Sequence, residues 1–183
     1  MPHLTRRRCL TLLALLAGVA LPAWAQPAVP PEVGAELPGA KLRGSGRATV
    51  LGLHIYDIRL WVDDAFTDYP KSSLALEIEY GRSLSGKLIA DRSLKEMKRG
   101  GEIDDEKAER WLAFMRGTFP DVTKGDRITG VFQPGTAARF FVNGKFKAEN
   151  RDAEFAQRFF GIWLATHTSE PKLRDALLGQ GKA

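Results

Sequence analysis

Residues 1–25 have the arrangement of a cleavable export segment, and its removal decides what the rest of the chain has to hold a fold together. Arg6, Arg7 and Arg8 form a basic start. Cys9 to Leu21 is an apolar run of the usual length for such segments and too short to span a bilayer. Ala23-Trp24-Ala25 supplies the small-x-small cleavage pattern, so Gln26 is the expected mature N-terminus and the periplasm or the exterior the expected location. Thr5-Arg6-Arg7-Arg8-Cys9-Leu10 also loosely resembles a twin-arginine signal, although its flanking residues match only in part. Cys9 is the one cysteine of the chain and leaves with the segment. The mature chain then has no disulfide, no thiol nucleophile and no cysteine-built metal site. Burial of apolar surface is what remains to stabilise it, and the 10 Phe and the three Trp left once Trp24 is removed are suited to that.

Removing 25 of 183 residues leaves 158, the size of one domain with a sizeable core. Three of the 27 basic residues and none of the 22 acidic ones lie in the export segment, which leaves 24 against 22, a net charge of +2. That near-balance removes the concentrated positive charge on which nucleic-acid binding rests. No second apolar run approaches the length of a membrane span, so no stable membrane insertion is expected after cleavage. The two histidines of the mature chain, His54 and His167, form no metal-binding pair, so neither metal nor cofactor is expected. GxSxG, P-loop and strand-linked GxGxxG motifs are all missing from the sequence. The acidic pairs Asp63-Asp64 and Asp104-Asp105 are adjacent, so their carboxylates diverge on a strand or cap a helix rather than converge for acid–base work.

Along the chain, residues 26–40 read as a flexible lead-in and 41–183 as the folded domain. A Gly44-Ser45-Gly46 turn is expected, followed by strands at Arg47–Leu51 and Leu53–Val62. In the second, His54, Tyr56, Ile58, Leu60 and Val62 share one face, and Leu53, Ile55, Asp57, Arg59 and Trp61 the other. Both faces are mixed, which suggests a central strand covered on each side. Leu74–Tyr80 reads as a half-exposed strand. Helices are expected over Ser83–Lys98, with Leu84, Leu88, Ile89 and Met97 near helical spacing, and again from an Asp104-Asp105 N-cap, with Ala108, Trp111, Leu112 and Met115 in one stripe. Asp126–Gln133, Ala137–Val142 and Lys145–Lys147 form a β-meander turning at Asn143-Gly144. Asp152 caps a helix over Ala153–Leu164, and a short terminal helix reaches Leu178. Strands, helices, strands, helices make an α+β fold with an antiparallel sheet.

The ordered set GSGRATVLGLHIYDIRLWV (44–62), ALEIEYGRSLSGKLIADRSLKEM (75–97), WLAFMRGTFPDVTKGDRITGVFQPG (111–135) and EFAQRFFGIWLATHTSEPKLRDALLG (154–179) resembles the chalcone isomerase-like superfamily, in its bacterial exported branch. The resemblance implies an open-faced β-sandwich, a large antiparallel sheet backed by a layer of helices, with a cleft between them for a flat or elongated apolar ligand. Known relatives include plant isomerases that close chalcones to flavanones and plastid fatty-acid-binding proteins.

The same resemblance implies site residues. The isomerases' arginine after a Gly-rich turn, which stabilises the phenolate, falls at Arg47, with Arg43 as the alternative. Their ketone-polarising threonine falls at Tyr56, and their late-helix threonine at Ile162; their Tyr and Asn have no match. Fatty-acid-binding relatives pair arginine with tyrosine on a carboxylate, and Arg47 with Tyr56 suits that chemistry, a guanidinium fork plus a phenolic donor. Met97, Trp111, Phe114, Met115, Phe159 and Trp163 read as core, a subset of which lines the cleft. Arg82 and Arg92 are expected on a wet helix face. The first function implied is non-catalytic binding of a small amphiphilic or aromatic ligand, fatty-acid-like with a carboxylate head. An intramolecular lyase of chalcone isomerase type, using Arg47 and Tyr56, is the second, and an envelope protein-interaction module the third.

Overall fold

Alternating apolar residues in six successive segments produce six strands, and the computed structural model describes them within residues 27–180. Residues 1–25, read as an export segment, and the expected cleavage site lie outside the described residues. The strands are β1 (Lys41–Val50), β2 (Leu53–Val62), β3 (Leu74–Tyr80), β4 (Arg127–Gln133), β5 (Ala137–Val142) and β6 (Lys145–Asn150). They form one sheet in the order β1-β2-β3-β4-β5-β6, antiparallel throughout. Between β3 and β4 the chain leaves to build helices α2 (Gly86–Met97) and α3 (Asp105–Thr118); α4 (Ala153–Leu164) and α5 (Pro171–Leu177) follow the sheet.

One sheet face carries Ile58, Leu60, Leu76, Ile78, Phe132 and Phe140, all buried against α2, α3 and α4. At the centre of this core, Phe140 lies edge-on to Phe159 with ring centroids 5.0 Å apart, and Phe132 meets Phe160 at 5.2 Å. Such pairs add to the free energy of area burial. The helix starts follow the sequence: Asp104 accepts from the Lys107 N–H at 2.8 Å, and Asp152 accepts from those of Glu154 and Phe155 at 2.9 and 3.1 Å. Asn143 and Gly144 take φ of 48° and 79° in the β5–β6 turn, as Asn-Gly chemistry requires.

Three expectations change. Gly44-Ser45-Gly46 is not a turn but lies inside β1, which pairs with β2 along its length. A Cβ on Gly44 would sit 2.2 Å from the Ala176 carbonyl oxygen, so the glycine lets the backbone of α5 rest directly on the strand. The turn falls instead at Leu51-Gly52, with φ of 51° and 78°. The expected flexible lead-in contains a helix, α1 (Pro31–Glu36), because Val33 and Leu37 bury against Trp61, Ala75, Val131 and Phe141 on the other sheet face. β3 is nearly all buried rather than half exposed, because α1 and an ion network cover its acidic side. Glu77, 3 % exposed, accepts from Arg59, Arg127 and the Trp61 indole, which removes the cost of burying its charge. β2, as read, is an interior strand covered on both faces.

Candidate functional site

Near the β1–β2 turn the helices stand off the sheet and leave an apolar cavity of about 360 Å3. Its floor is Ala48 of β1, Tyr56 of β2, Ile78 and Tyr80 of β3 and Ile128 of β4. Its roof is Leu84 and the Leu88–Ile89 turn of α2, with Phe119 below and Phe159 and Trp163 of α4 closing one side. Larger hollows of about 630 and 450 Å3 lie elsewhere, around Lys98–Asp104 and between Tyr69 and His167. Charged side chains and backbone line much of both, whereas a site for an apolar ligand needs an apolar wall with a few polar anchors.

The anchors of the apolar cavity are Tyr56, Arg92, Ser93, Glu96, Ser169 and Glu170. The Trp163 indole Nε1 donates to the Tyr56 hydroxyl oxygen at 2.9 Å. An indole N–H can only donate, so the oxygen is the acceptor and the phenolic hydrogen remains free to donate. It finds no acceptor among the described residues. Burial raises the Tyr56 pKa, with Glu170 and Glu96 adding to the rise and the Trp163 bond and Arg92 opposing it. The group therefore stays protonated, a donor rather than a base. Burial pushes the neighbouring Tyr80 phenol up as well.

Arg92 and Glu96 occupy successive turns of α2, and Arg92 Nη2 reaches Glu96 Oε1 at 2.8 Å. The guanidinium is 64 % exposed and the carboxylate 9 %, so the arginine keeps N–H groups to offer at the mouth. Glu96 Oε2 is buried without a hydrogen-bond partner. Ser93 is committed to the Ile89 carbonyl at 2.8 Å.

The structure brings Tyr56, Phe159 and Trp163 together in this cavity and places the other expected residues elsewhere. Arg47 lies outside the cavity, paired across the strands with Asp57 at 2.7 Å. Alternation explains it: Ala48 lines the cavity, so its neighbour Arg47 points to the opposite face. The bond to Arg47 holds the Asp57 carboxyl below its usual range against a smaller burial effect. Arg43 donates to the Leu178 carbonyl at 3.1 Å, at the C-terminal end of α5. Met97, Trp111 and Met115 are buried in the core between helices and sheet, Phe114 packs against that core, and Ile162 is part-buried on α4; none lines the cavity. Arg92 is exposed, as expected of a wet face, and also stands at the cavity mouth. Leu84, just before α2, and Leu88 and Ile89 within it are followed at the next steps of 3 and 4 by Arg92, Ser93 and Glu96, which line the cavity as well.

A six-stranded antiparallel sheet, with α2, α3, α4 and α5 layered on one face, the short α1 on the other, and an apolar cavity under the main layer, defines an α+β fold of the open-faced kind. The family model for chalcone isomerase-like proteins matches residues 22–179, and the chain belongs to that family. It is 30 % identical over 140 residues to an uncharacterised protein of Haemophilus influenzae, covering 76 % of this chain and 68 % of that one. Among solved structures it is similar to a fatty-acid binding protein of Arabidopsis thaliana, with a TM-score of 0.60 and 12 % identity over 77 % of this chain and 87 % of that one.

Proposed function

We propose that the protein binds, without catalysis, a small amphiphile with an acidic head such as a fatty acid. The phenolic hydrogen of Tyr56, uncommitted within the protein and facing a largely apolar cavity, carries the proposal: it is a donor that a ligand's acidic head can accept from. Arg92 adds a charge-assisted donor at the mouth, and the aromatic and aliphatic walls take the tail. The cavity volume of about 360 Å3 falls within the range of small-molecule sites. The plant protein of the same fold, a fatty-acid binding protein by its title, supports the ligand class. Chalcone closure is less supported, because Arg47, the phenolate-stabilising arginine implied by the resemblance, is outside the cavity and bound to Asp57.

Residues 1–25 support export, so binding would take place in the periplasm or outside the cell. Organic extraction of the purified protein followed by mass spectrometry tests the ligand. A co-purified fatty acid, or one rebinding well below about 1 mM, is the expected result. Neither a ligand nor affinity, or turnover of an ortho-hydroxychalcone, would sink the proposal.

A further inference from the structure

The two-residue turn joining β1 to β2 contains a residue that turn chemistry disfavours. Leu51 has φ 51°, a left-handed conformation that glycine and asparagine adopt with least cost. Burial does not compensate, since Leu51 is 97 % exposed. Beside it Val50, Leu53 and Leu88 are also more than half exposed, so four of the six exposed large apolar residues among those described gather at this end of the sheet. Val50 and Leu88 line the cavity as well, which makes the apolar tip continuous with the cavity mouth.

Three cations lie on the segments at this end of the sheet. Arg82 follows Gly81, whose N–H bonds to the Ile55 carbonyl, and Lys124 precedes Gly125, whose N–H bonds to that of Tyr80. Lys87 adjoins Leu88 in the first turn of α2. All three are exposed, and none makes an ion pair among the described residues. Of the nearby carboxylates, Asp57 is paired with Arg47, whereas Asp121, held by the Gly86 N–H, Asp126, held by Thr123 and Asn143, and exposed Glu170 at the cavity mouth keep their negative charge. A strained, exposed leucine is retained where its exposure serves a purpose.

We propose that this end of the molecule docks peripherally on an anionic lipid bilayer, with Leu51 and its apolar neighbours entering the interface and Arg82, Lys87 and Lys124 meeting lipid phosphates. A protruding apolar tip with exposed, unpaired cations on the adjoining segments complements a headgroup plane, where apolar burial leads and attraction to anionic lipid adds to it. Docking sets the cavity mouth against the layer in which amphiphiles reside. It does not depend on which ligand the cavity takes.

Flotation of the protein, expressed from the full chain, with phosphatidylcholine vesicles with and without phosphatidylglycerol tests the proposal. Binding to the anionic vesicles that weakens with salt is expected. Leu51→Asn keeps the turn conformation and removes the apolar tip, so it should weaken vesicle affinity about tenfold with thermal stability unchanged or higher. Lys87→Gln and Arg82→Gln should each weaken binding to anionic vesicles severalfold. The proposal is overturned by an absence of vesicle binding, by binding indifferent to Leu51→Asn, or by a Leu51-dependent association between copies of the chain in place of vesicle binding.

Discussion

Replacing Tyr56 by Phe removes one oxygen from the cavity and should be read in two measurements at once. The ring stays, so packing against Tyr80, 6.2 Å away centre to centre, is nearly conserved. The Trp163 indole N–H loses its acceptor in a residue only 7 % exposed, a desolvation penalty of about 1–3 kcal/mol. For a domain of this size each kcal/mol lowers Tm by roughly 2–4 °C. Loss of the free phenolic donor should weaken a carboxylate ligand by about 1 kcal/mol, near fivefold in Kd. Thermal unfolding and a fatty-acid displacement titration measure the two effects. A cycle with Trp163→Phe isolates the bond: the double variant should be more stable than the sum of the single losses allows, by about 1 kcal/mol. Unchanged affinity in Tyr56→Phe, or no coupling in the cycle, would refute the assignment of the hydroxyl hydrogen to a ligand.

Glu96→Gln removes the carboxylate that competes for Arg92, and with an exposed guanidinium the effect is modest: fatty-acid affinity should rise about two- to fivefold, whereas a fall marks a cationic head group. Asp152→Ala removes the α4 cap and the acceptor of the Trp111 indole, and should cost about 2–3 kcal/mol in denaturant unfolding. Burial tends to raise the Asp152 pKa, but bonds from Phe155, Trp111 and Glu154 lower it overall. Its contribution is therefore complete above the unfolded carboxylate pKa of about 4 and is lost as pH falls through the lower folded value, where variant and parent should converge. Gly44→Ala forces a Cβ into the α5 backbone and should destabilise by about 1–3 kcal/mol, more than Gly46→Ala, which meets the end of the Leu173 side chain.

Features written in nearest neighbours were legible in the sequence. The caps Asp104 and Asp152, the Asn143-Gly144 turn and the bounds of β3 each depend on a few adjacent residues. Features that depend on distant segments were not. Gly44 and Gly46 resemble a turn until α5 is known to lie on them, and Val33 in α1 becomes core only when Trp61 and Val131 form its receiving surface. At the site, Tyr56 and Arg47 both come from the family resemblance, and only Tyr56 lines the cavity, because strand alternation turns Arg47 outward. The cavity arginine, Arg92, sits on a helix whose apolar stripe becomes polar halfway along.

Three tryptophans among the described residues donate their indole N–H to three different acceptors: Trp61 to Glu77, Trp111 to Asp152 and Trp163 to Tyr56. They provide separate reporters for the outer sheet face, the helical core and the cavity. A fatty acid titrated into the protein, followed by the indole signals in a nitrogen–proton NMR spectrum, tests ligand binding at this cavity most directly. The Trp163 signal should move to saturation while those of Trp61 and Trp111 stay in place. A Trp163 signal that remains fixed at saturating ligand, or movement confined to the other two, would contradict the cavity as the binding site.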